Sequence, residues 1–411
     1  MTRKVDRCRI CGGARLEEVL DLGEQCLTGW FPREANAPIT KGPLVLVKCI
    51  GEPEACGLIQ LAHSYDADEM YGANYGYRSG LNASMVAHLK AKVERITGRE
   101  SLKSGDLIID IGANDGTTLG FYPSEGLTLV GIDPTAKKFA RYYPPHVNFI
   151  ADFFSSEVME EHFAGRKARV ITSFSMFYDL ESPMAFMRTI HDNLADDGLW
   201  VFEQSYMPSM LATNSYDTVC HEHLEFYGLG QIKWMADRVG FDIVDVELND
   251  VNGGSFSVSV KKGRSGNPPP TVQKILADEA EQGLATLAPF RAFEQRTHAS
   301  REALRGFVAD ARAAGKTVAA LGASTKGNVL LQYCGFTRSD ISAIGEVNPD
   351  KFGSFAPGGD IPIIPEAELL ARNPDYLIVL PWHFRSFFES SAVFRGRTLV
   401  FPLPEIELVT P

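Results

Sequence analysis

The densest group of titratable side chains in the sequence is Cys220-His221-Glu222-His223. Histidine exchanges a proton near neutral pH, and a neighbouring carboxylate orients and tunes it. In extended backbone His221 and His223 face one way and Glu222 the other. The segment follows Glu203-Gln204-Ser205-Tyr206, which reads as the end of a strand, the edge where reacting groups gather in an α/β sheet. Two other uses of these residues stay open: a polar lining of the core, and a second metal site through both histidines, for which no third ligand is evident.

A second group lies at Asp110-Ile111-Gly112-Ala113-Asn114-Asp115-Gly116. It ends an apolar run and opens a helical pattern. Gly112 and Gly116 allow a ligand to approach the backbone closely. A loop for a dinucleotide pyrophosphate wants a third glycine, and none is in place. Asp110, Asn114 and Asp115 give an acidic rim instead, which attracts a cation and repels a pyrophosphate. The next strand ends in Asp133, where a carboxylate can accept both ribose hydroxyls. The third ends in Asp152-Phe153, an acid and an aromatic suited to an adenine. Three acids at successive strand ends point to S-adenosylmethionine, which carries an ammonium and a sulfonium. NAD is the competitor.

Cys8-x-x-Cys11, with Cys49 and Cys56, offers four thiolates for a tetrahedral structural zinc. The second pair is wider than usual, and the Gly51-Glu52-Pro53-Glu54 insert would have to bulge outward. The competing reading is four buried free thiols.

These groups need scaffolds. Short apolar strands alternate with helical patterns: Leu107–Ile111, Thr128–Ile132, Val170–Thr172 and Leu199–Phe202, with a helix such as 184–194 between them. That alternation predicts a parallel sheet covered on both faces. Asn252-Gly253-Gly254 predicts an antiparallel hairpin between 241–248 and 256–261. A Gly/Ser/Pro-rich stretch, 263–270, precedes a long helical region broken near Pro289. A second strand-loop-helix unit then begins at Thr317, with the loop Gly322-Ala323-Ser324-Thr325-Lys326-Gly327-Asn328. Its helix start, with Lys326, is suited to phosphates, the alternative being a plain turn. Tyr71, Tyr75 and Tyr77 could line a substrate pocket or an interdomain seam. The expected domains are 1–65, 66–265 and 266–411.

The 411 residues are enough for two or three domains, and the net charge of −12 argues against a nucleic-acid partner. No apolar run is long enough to cross a bilayer, and no signal segment follows Met1-Thr2-Arg3-Lys4. Few cysteines, clustered near the N-terminus, fit reduced thiols and a cytoplasmic setting. Size and charge are compatible with a monomer or a homodimer.

Taken together, the motifs resemble those of the nucleotide-sugar C-methyltransferases. The resemblance runs through Cys8-Arg9-Ile10-Cys11-Gly12, Cys56-Gly57-Leu58-Ile59-Gln60-Leu61, the 111–116 loop, Tyr216-Asp217-Thr218 to Leu224, Asn252-Gly253-Gly254-Ser255, the 322–328 loop, Asn348-Pro349-Asp350-Lys351 and Gly358-Gly359-Asp360-Ile361-Pro362-Ile363. It implies an α/β fold: a class I methyltransferase core of Rossmann type, a small N-terminal zinc module and a second Rossmann-like C-terminal domain. It implies methyl transfer from S-adenosylmethionine to a carbon, usually C3, beside the C4 ketone of a nucleotide-linked sugar. His223 is similar to the family's general base, with Glu222 beside it, and Tyr77 to its active-site tyrosine. The enolate would be held by Tyr77 and His221. Tyr75, Cys220, Lys326 and Asn328 are the expected substrate contacts. Cys220 stands where many members have tyrosine, and Ser175-Met176-Phe177-Tyr178-Asp179 lacks a histidine that many have. An O-methyltransferase, an NAD-dependent sugar oxidoreductase or epimerase, and a non-catalytic zinc adaptor are the rival readings.

Overall fold

The computed structural model describes residues 2–51, 55–66, 69–70 and 77–411. Tyr71 and Tyr75 lie outside them. The N-terminal module is built on antiparallel strands β2 (Leu16–Cys26), β3 (Lys41–Cys49) and β4 (Ile59–Leu61), with β1 (Arg3–Lys4) paired to β5 (His63–Ser64) at its side. These strands are not evident from the sequence alone. Glu17, Glu18, Asp21 and Glu24 interrupt β2, and two register shifts break its pairing with β3. The buried face still alternates through Leu20, Leu22, Leu44 and Leu46.

The central domain follows the expected alternation. The parallel strands are β6 (Leu107–Ile111), β7 (Thr128–Ile132), β8 (Val147–Ile150), β9 (Ala168–Phe174) and β10 (Leu194–Ser205). Every residue of β6 is buried, as a central parallel strand requires. The hairpin β12 (Phe241–Asn249) and β13 (Ser255–Lys262) closes the sheet antiparallel to β10, in the order β12-β13-β10-β9-β6-β7-β8. The hairpin turn places Asn252, Gly253 and Gly254 all at positive φ, and a Cβ on Gly254 would strike Ser209. The order reverses at β6, so a crevice opens beyond its carboxyl end.

One short strand, β11 (Glu225–Phe226), leaves this domain. It pairs with β4 and becomes the fourth strand of the N-terminal sheet. Leu224 extends the link: its carbonyl accepts from Leu61 N–H and its N–H donates to the Tyr178 carbonyl, each at 2.8 Å. The segment just before, Tyr216–His223, is thereby held between two domains.

Helices Pro270–Glu281 and Ala288–Ala313 lead to the C-terminal sheet. Its parallel strands are β14 (Val318–Leu321), β15 (Ile344–Glu346), β17 (Ile361–Pro365), β18 (Tyr376–Val379) and β19 (Leu399–Phe401). The short β16 (Phe355–Ala356) and β20 (Glu407–Val409) run antiparallel at its two edges. Here the order reverses at β14, so the 322–328 loop sits at the switch point of this second sheet. No helix among the described residues is long and apolar enough to cross a membrane.

Phe226 is 5% exposed in the core shared by the N-terminal module and the C-terminal domain. Phe226→Ala should cost about 3–5 kcal/mol, read as a lower urea midpoint at unchanged slope. A loss below about 1 kcal/mol would show that packing does not hold β11 in place.

Candidate active site

The crevice beyond β6 contains a cavity of about 320 Å³. Asp110, Gly112 and Asn114 from the first loop, Asp133 from the end of β7 and Phe153 from the end of β8 all line it. Phe154, Phe174 and Phe186 add aromatic wall, and Asp179 and Glu181 add two more acids. Among the described residues no lysine, arginine or histidine lines this cavity. Its electrostatics therefore favour a cation. Burial pushes the Asp110 carboxyl up to about 7, although the Thr172 hydroxyl, donating at 2.5 Å, works against the shift.

The other residues of the loop have internal duties. Asp133 accepts from Asn114 N–H at 2.8 Å and from the N–H and hydroxyl of Thr135 at 2.6 and 2.5 Å. Asn114 accepts from Ser79 N–H at 3.0 Å and donates to the Tyr77 carbonyl at 3.1 Å, while Asp115 accepts from Gly80 N–H at 2.9 Å. These bonds tie 77–80 over the cavity and leave Tyr77 on its wall. Two expectations change. Gly116 faces Tyr143, which a Cβ there would strike, so its role is packing. Asp152 is exposed and caps the Phe153 N–H at 2.7 Å, leaving the aromatic pair to form the wall.

The Cys220–His223 segment is a turn, not a strand: His223 N–H bonds the Cys220 carbonyl at 3.2 Å. The two histidines therefore part company, which corrects the alternation expected of them. His221 is fully buried against the N-terminal module, with Nε2 3.4 Å from the Gly42 carbonyl and its ring edge-on to Tyr65 at 4.6 Å. It faces the N-terminal module and does not line the cofactor cavity. Cys220 is also fully enclosed, with the Glu222 and Asp179 carboxylates near its thiol. Glu222 accepts from the Thr28 hydroxyl at 3.4 Å and lies so close to Gly29 that a Cβ there would overlap it. Burial raises its carboxyl above the usual range.

His223 has a different setting. Its Nδ1 is 2.8 Å from the Thr218 carbonyl. A carbonyl only accepts, so Nδ1 carries the proton and Nε2 keeps its lone pair. Burial first, then the nearby Lys326 ammonium, push the imidazole down to about 4. The ring stands edge-on to Tyr178 at 4.4 Å, and the next residue, Asp179, lines the cofactor cavity. Lys326 donates to the Asn252 carbonyl at 2.7 Å, and its charge acts on Asp217, His223 and His383. Asn328 is fully buried and donates to the Thr28 carbonyl at 2.7 Å, so it fastens the N-terminal module to the switch loop. Sequence reasoning missed Tyr178, Thr28, Gly29 and the Trp382 indole that donates to Asp217 at 2.9 Å. Only Tyr178 had a signal, its place after a core strand.

The four cysteines meet. The sulfurs of Cys8 and Cys56 are 3.4 Å apart, as are those of Cys11 and Cys49, and all four lie within 4.8 Å of one another. Tetrahedral zinc, with Zn–S about 2.3 Å, places its ligands about 3.8 Å apart, so the cluster fits the ion and the widened pair is no obstacle. Arg9, inside the first pair, donates to the Leu61 carbonyl at 2.6 Å and lies 3.6 Å from the buried Glu225 carboxylate. The metal loop is thus joined to β11.

The fold and these two sites define an S-adenosylmethionine-dependent methyltransferase with a structural zinc. Three family descriptions match in succession: a zinc binding domain over residues 8–71, a methyltransferase domain over 82–246 and a C-methyltransferase C-terminal domain over 250–404. The C-methyltransferase NovU of Streptomyces niveus is 31% identical over 422 residues, covering 100% of this chain and 98% of that protein. The chain belongs to this family of C-methyltransferases. Among solved structures, the CurJ carbon methyltransferase is 13% identical over 44% of this chain and 56% of its own, with a TM-score of 0.35. Magnesium protoporphyrin IX methyltransferase from Synechocystis is 12% identical over 43% and 79%, with a TM-score of 0.33. At these scores neither adds to the family match.

Two outcomes follow from the geometry. Cys11→Ser should lower zinc, measured by atomic absorption, well below one per chain and lower the melting temperature, because structural zinc supplies about 10 kcal/mol or more of folding energy. Wild-type zinc content in that variant would remove Cys11 from the ligand set. Asp110 must be ionised to attract an ammonium, and its ionised fraction falls as pH drops through about 7. S-adenosylhomocysteine affinity, measured by calorimetry, should weaken from pH 8 to 6, and Asp110→Asn should flatten that dependence.

Proposed function

We propose that the protein methylates C3, beside the C4 ketone, of a nucleotide-linked 4-keto sugar, with His223 as general base. The observation that supports this most is the state of His223: neutral, with its tautomer fixed by Thr218 and Nε2 available. A hydrogen on a carbon flanking a ketone is weakly acidic. His223 Nε2 takes it as a proton, and the C–H electron pair moves into an enolate. Asp110, Asp133 and the Phe153 wall would hold S-adenosylmethionine, which would supply an electrophilic methyl. As the carbon bonds to it, the methyl–sulfur bond would break and its electron pair stay on sulfur, leaving neutral S-adenosylhomocysteine. Burial and the Lys326 ammonium keep the base unprotonated beforehand. The enolate then stabilises the imidazolium that forms beside it.

Donors for the enolate oxygen are Lys326 and Tyr77. Lys326 takes the place expected for His221, since its ammonium already acts on the base while its partner is an uncharged carbonyl. Glu222 sets the turn through Thr28. Holding carbon and methyl in near-attack geometry between the domains would contribute much of the acceleration. The acidic cofactor cavity disfavours a dinucleotide pyrophosphate, and with it the oxidoreductase reading.

His223→Asn should lower turnover by about 10²–10⁴-fold, keep S-adenosylhomocysteine affinity within twofold, and abolish exchange of the C3 hydrogen with deuterium oxide. Persistent exchange at the wild-type rate would assign the base elsewhere.

A further inference from the structure

Arg9 stands between two of the clustered cysteines, Cys8 and Cys11. Its backbone N–H donates to the Gln60 side-chain oxygen at 2.8 Å, and the Gln60 amide donates to the Arg7 carbonyl at 3.2 Å. Metal ligation on both sides therefore fixes where the Arg9 side chain starts. That side chain runs inward and is 2% exposed. Its guanidinium donates to the Leu61 and His63 carbonyls at 2.6 and 3.2 Å and to the Ser64 hydroxyl at 2.9 Å.

These bonds orient the cation without neutralising it, and taking an arginine out of water is costly unless acids compensate. The acids come from outside the metal loop. Arg9 Nε lies 3.6 Å from Glu225 and 3.8 Å from Glu181. Burial raises the Glu225 carboxyl well above the ordinary range; Arg9 opposes that shift, and Asp179 and Glu181 add to it. One cation thus stands among three carboxylates.

Those carboxylates belong to the working sites. Asp179 and Glu181 line the cofactor cavity. Glu225 lines a small cavity together with His223 and Tyr178. Arg3, from β1 of the same module, also donates to Glu181, at 3.0 Å. That contact is exposed on both sides and weak by itself. The Arg9 contacts lie in a drier setting, where a charge acts more strongly.

We propose that Arg9 is a positioning residue that couples the zinc loop to the cofactor cavity. It holds Glu181 on the cavity wall and Glu225 just past the His-Glu-His turn in one arrangement, so that metal and cofactor strengthen each other's binding. Such coupling is reciprocal. Bound cofactor should hold the zinc more firmly, and metal loss should loosen the wall and the turn together. Only the metal and the cofactor enter, so the identity of the methyl acceptor is immaterial here.

The test is the rate of zinc release from the zinc-loaded protein to a chromogenic pyridylazo chelator, with and without saturating S-adenosylhomocysteine. The ligand should slow release about fivefold or more in the wild type. A bound ligand stabilises any fold that takes it, so two variants decide the route. One is Glu181→Gln. The other is Arg9→Gln/Glu225→Gln, which removes both buried charges together. Both should keep their zinc and still gain melting temperature with S-adenosylhomocysteine, yet the slowing should fall below about twofold. Unchanged release in the wild type would overturn the coupling, and so would wild-type slowing in both variants. Slowing lost in Glu181→Gln but kept in the double variant would pass the link to Arg3 and overturn the part assigned to Arg9.

Discussion

The pairing of Glu225 and Phe226 with Gln60 and Ile59 is the contact on which the active-site arrangement depends. It takes two residues out of the methyltransferase domain and commits them to another sheet. Whatever precedes them must then turn sharply between the domains, and what precedes them is His-Glu-His. Leu224 secures the turn from both sides, toward Leu61 and toward Tyr178. Arg9 secures β11 from the metal loop. Lys48 adds a further tie, donating to the carbonyls of Gly57 beside Cys56 and of Leu284 between the C-terminal helices, each at 2.9 Å. The zinc centre is distant from the chemistry in role but continuous with it in structure.

The second organising feature is separation of charge. One cavity carries acids and no cations among its described walls, and a neighbouring cleft, where Arg33, Arg78, Lys138, Arg141 and Lys351 face Asp350, carries five cations and one acid. The partition between them is the 77–80 segment, fastened by Asn114 and Asp115. Opposite fields close together give the two pockets opposite charge preferences.

Much of this was legible in the sequence, for identifiable reasons. The apolar runs of β6 and β7 have the same bounds in the structure, because buried parallel strands leave little room for polar residues. Asp110 and Asp133 stand at the ends of apolar runs in the sequence, and both line the cavity there. The cysteine cluster was readable despite its insert, since ligand type constrains more than spacing does. The turn at Cys220 was not readable. Periodicity assumes regular backbone, and here a partner strand from another domain dictates the backbone. The same applies to Asn328, whose loop motif resembles a ligand contact while its amide serves the Thr28 carbonyl. The strand β2 was hidden by acids on the exposed face of a small sheet.

The strand exchange between domains also limits how such a chain can be rearranged. A central domain moved alone into a new host would carry β11 without its partner, and the donor module would be left with an open edge at β4. An unpaired edge strand invites pairing with other chains. Recombination between relatives is therefore expected to spare the boundary between the first two domains, so that zinc module and methyltransferase core are inherited as one unit.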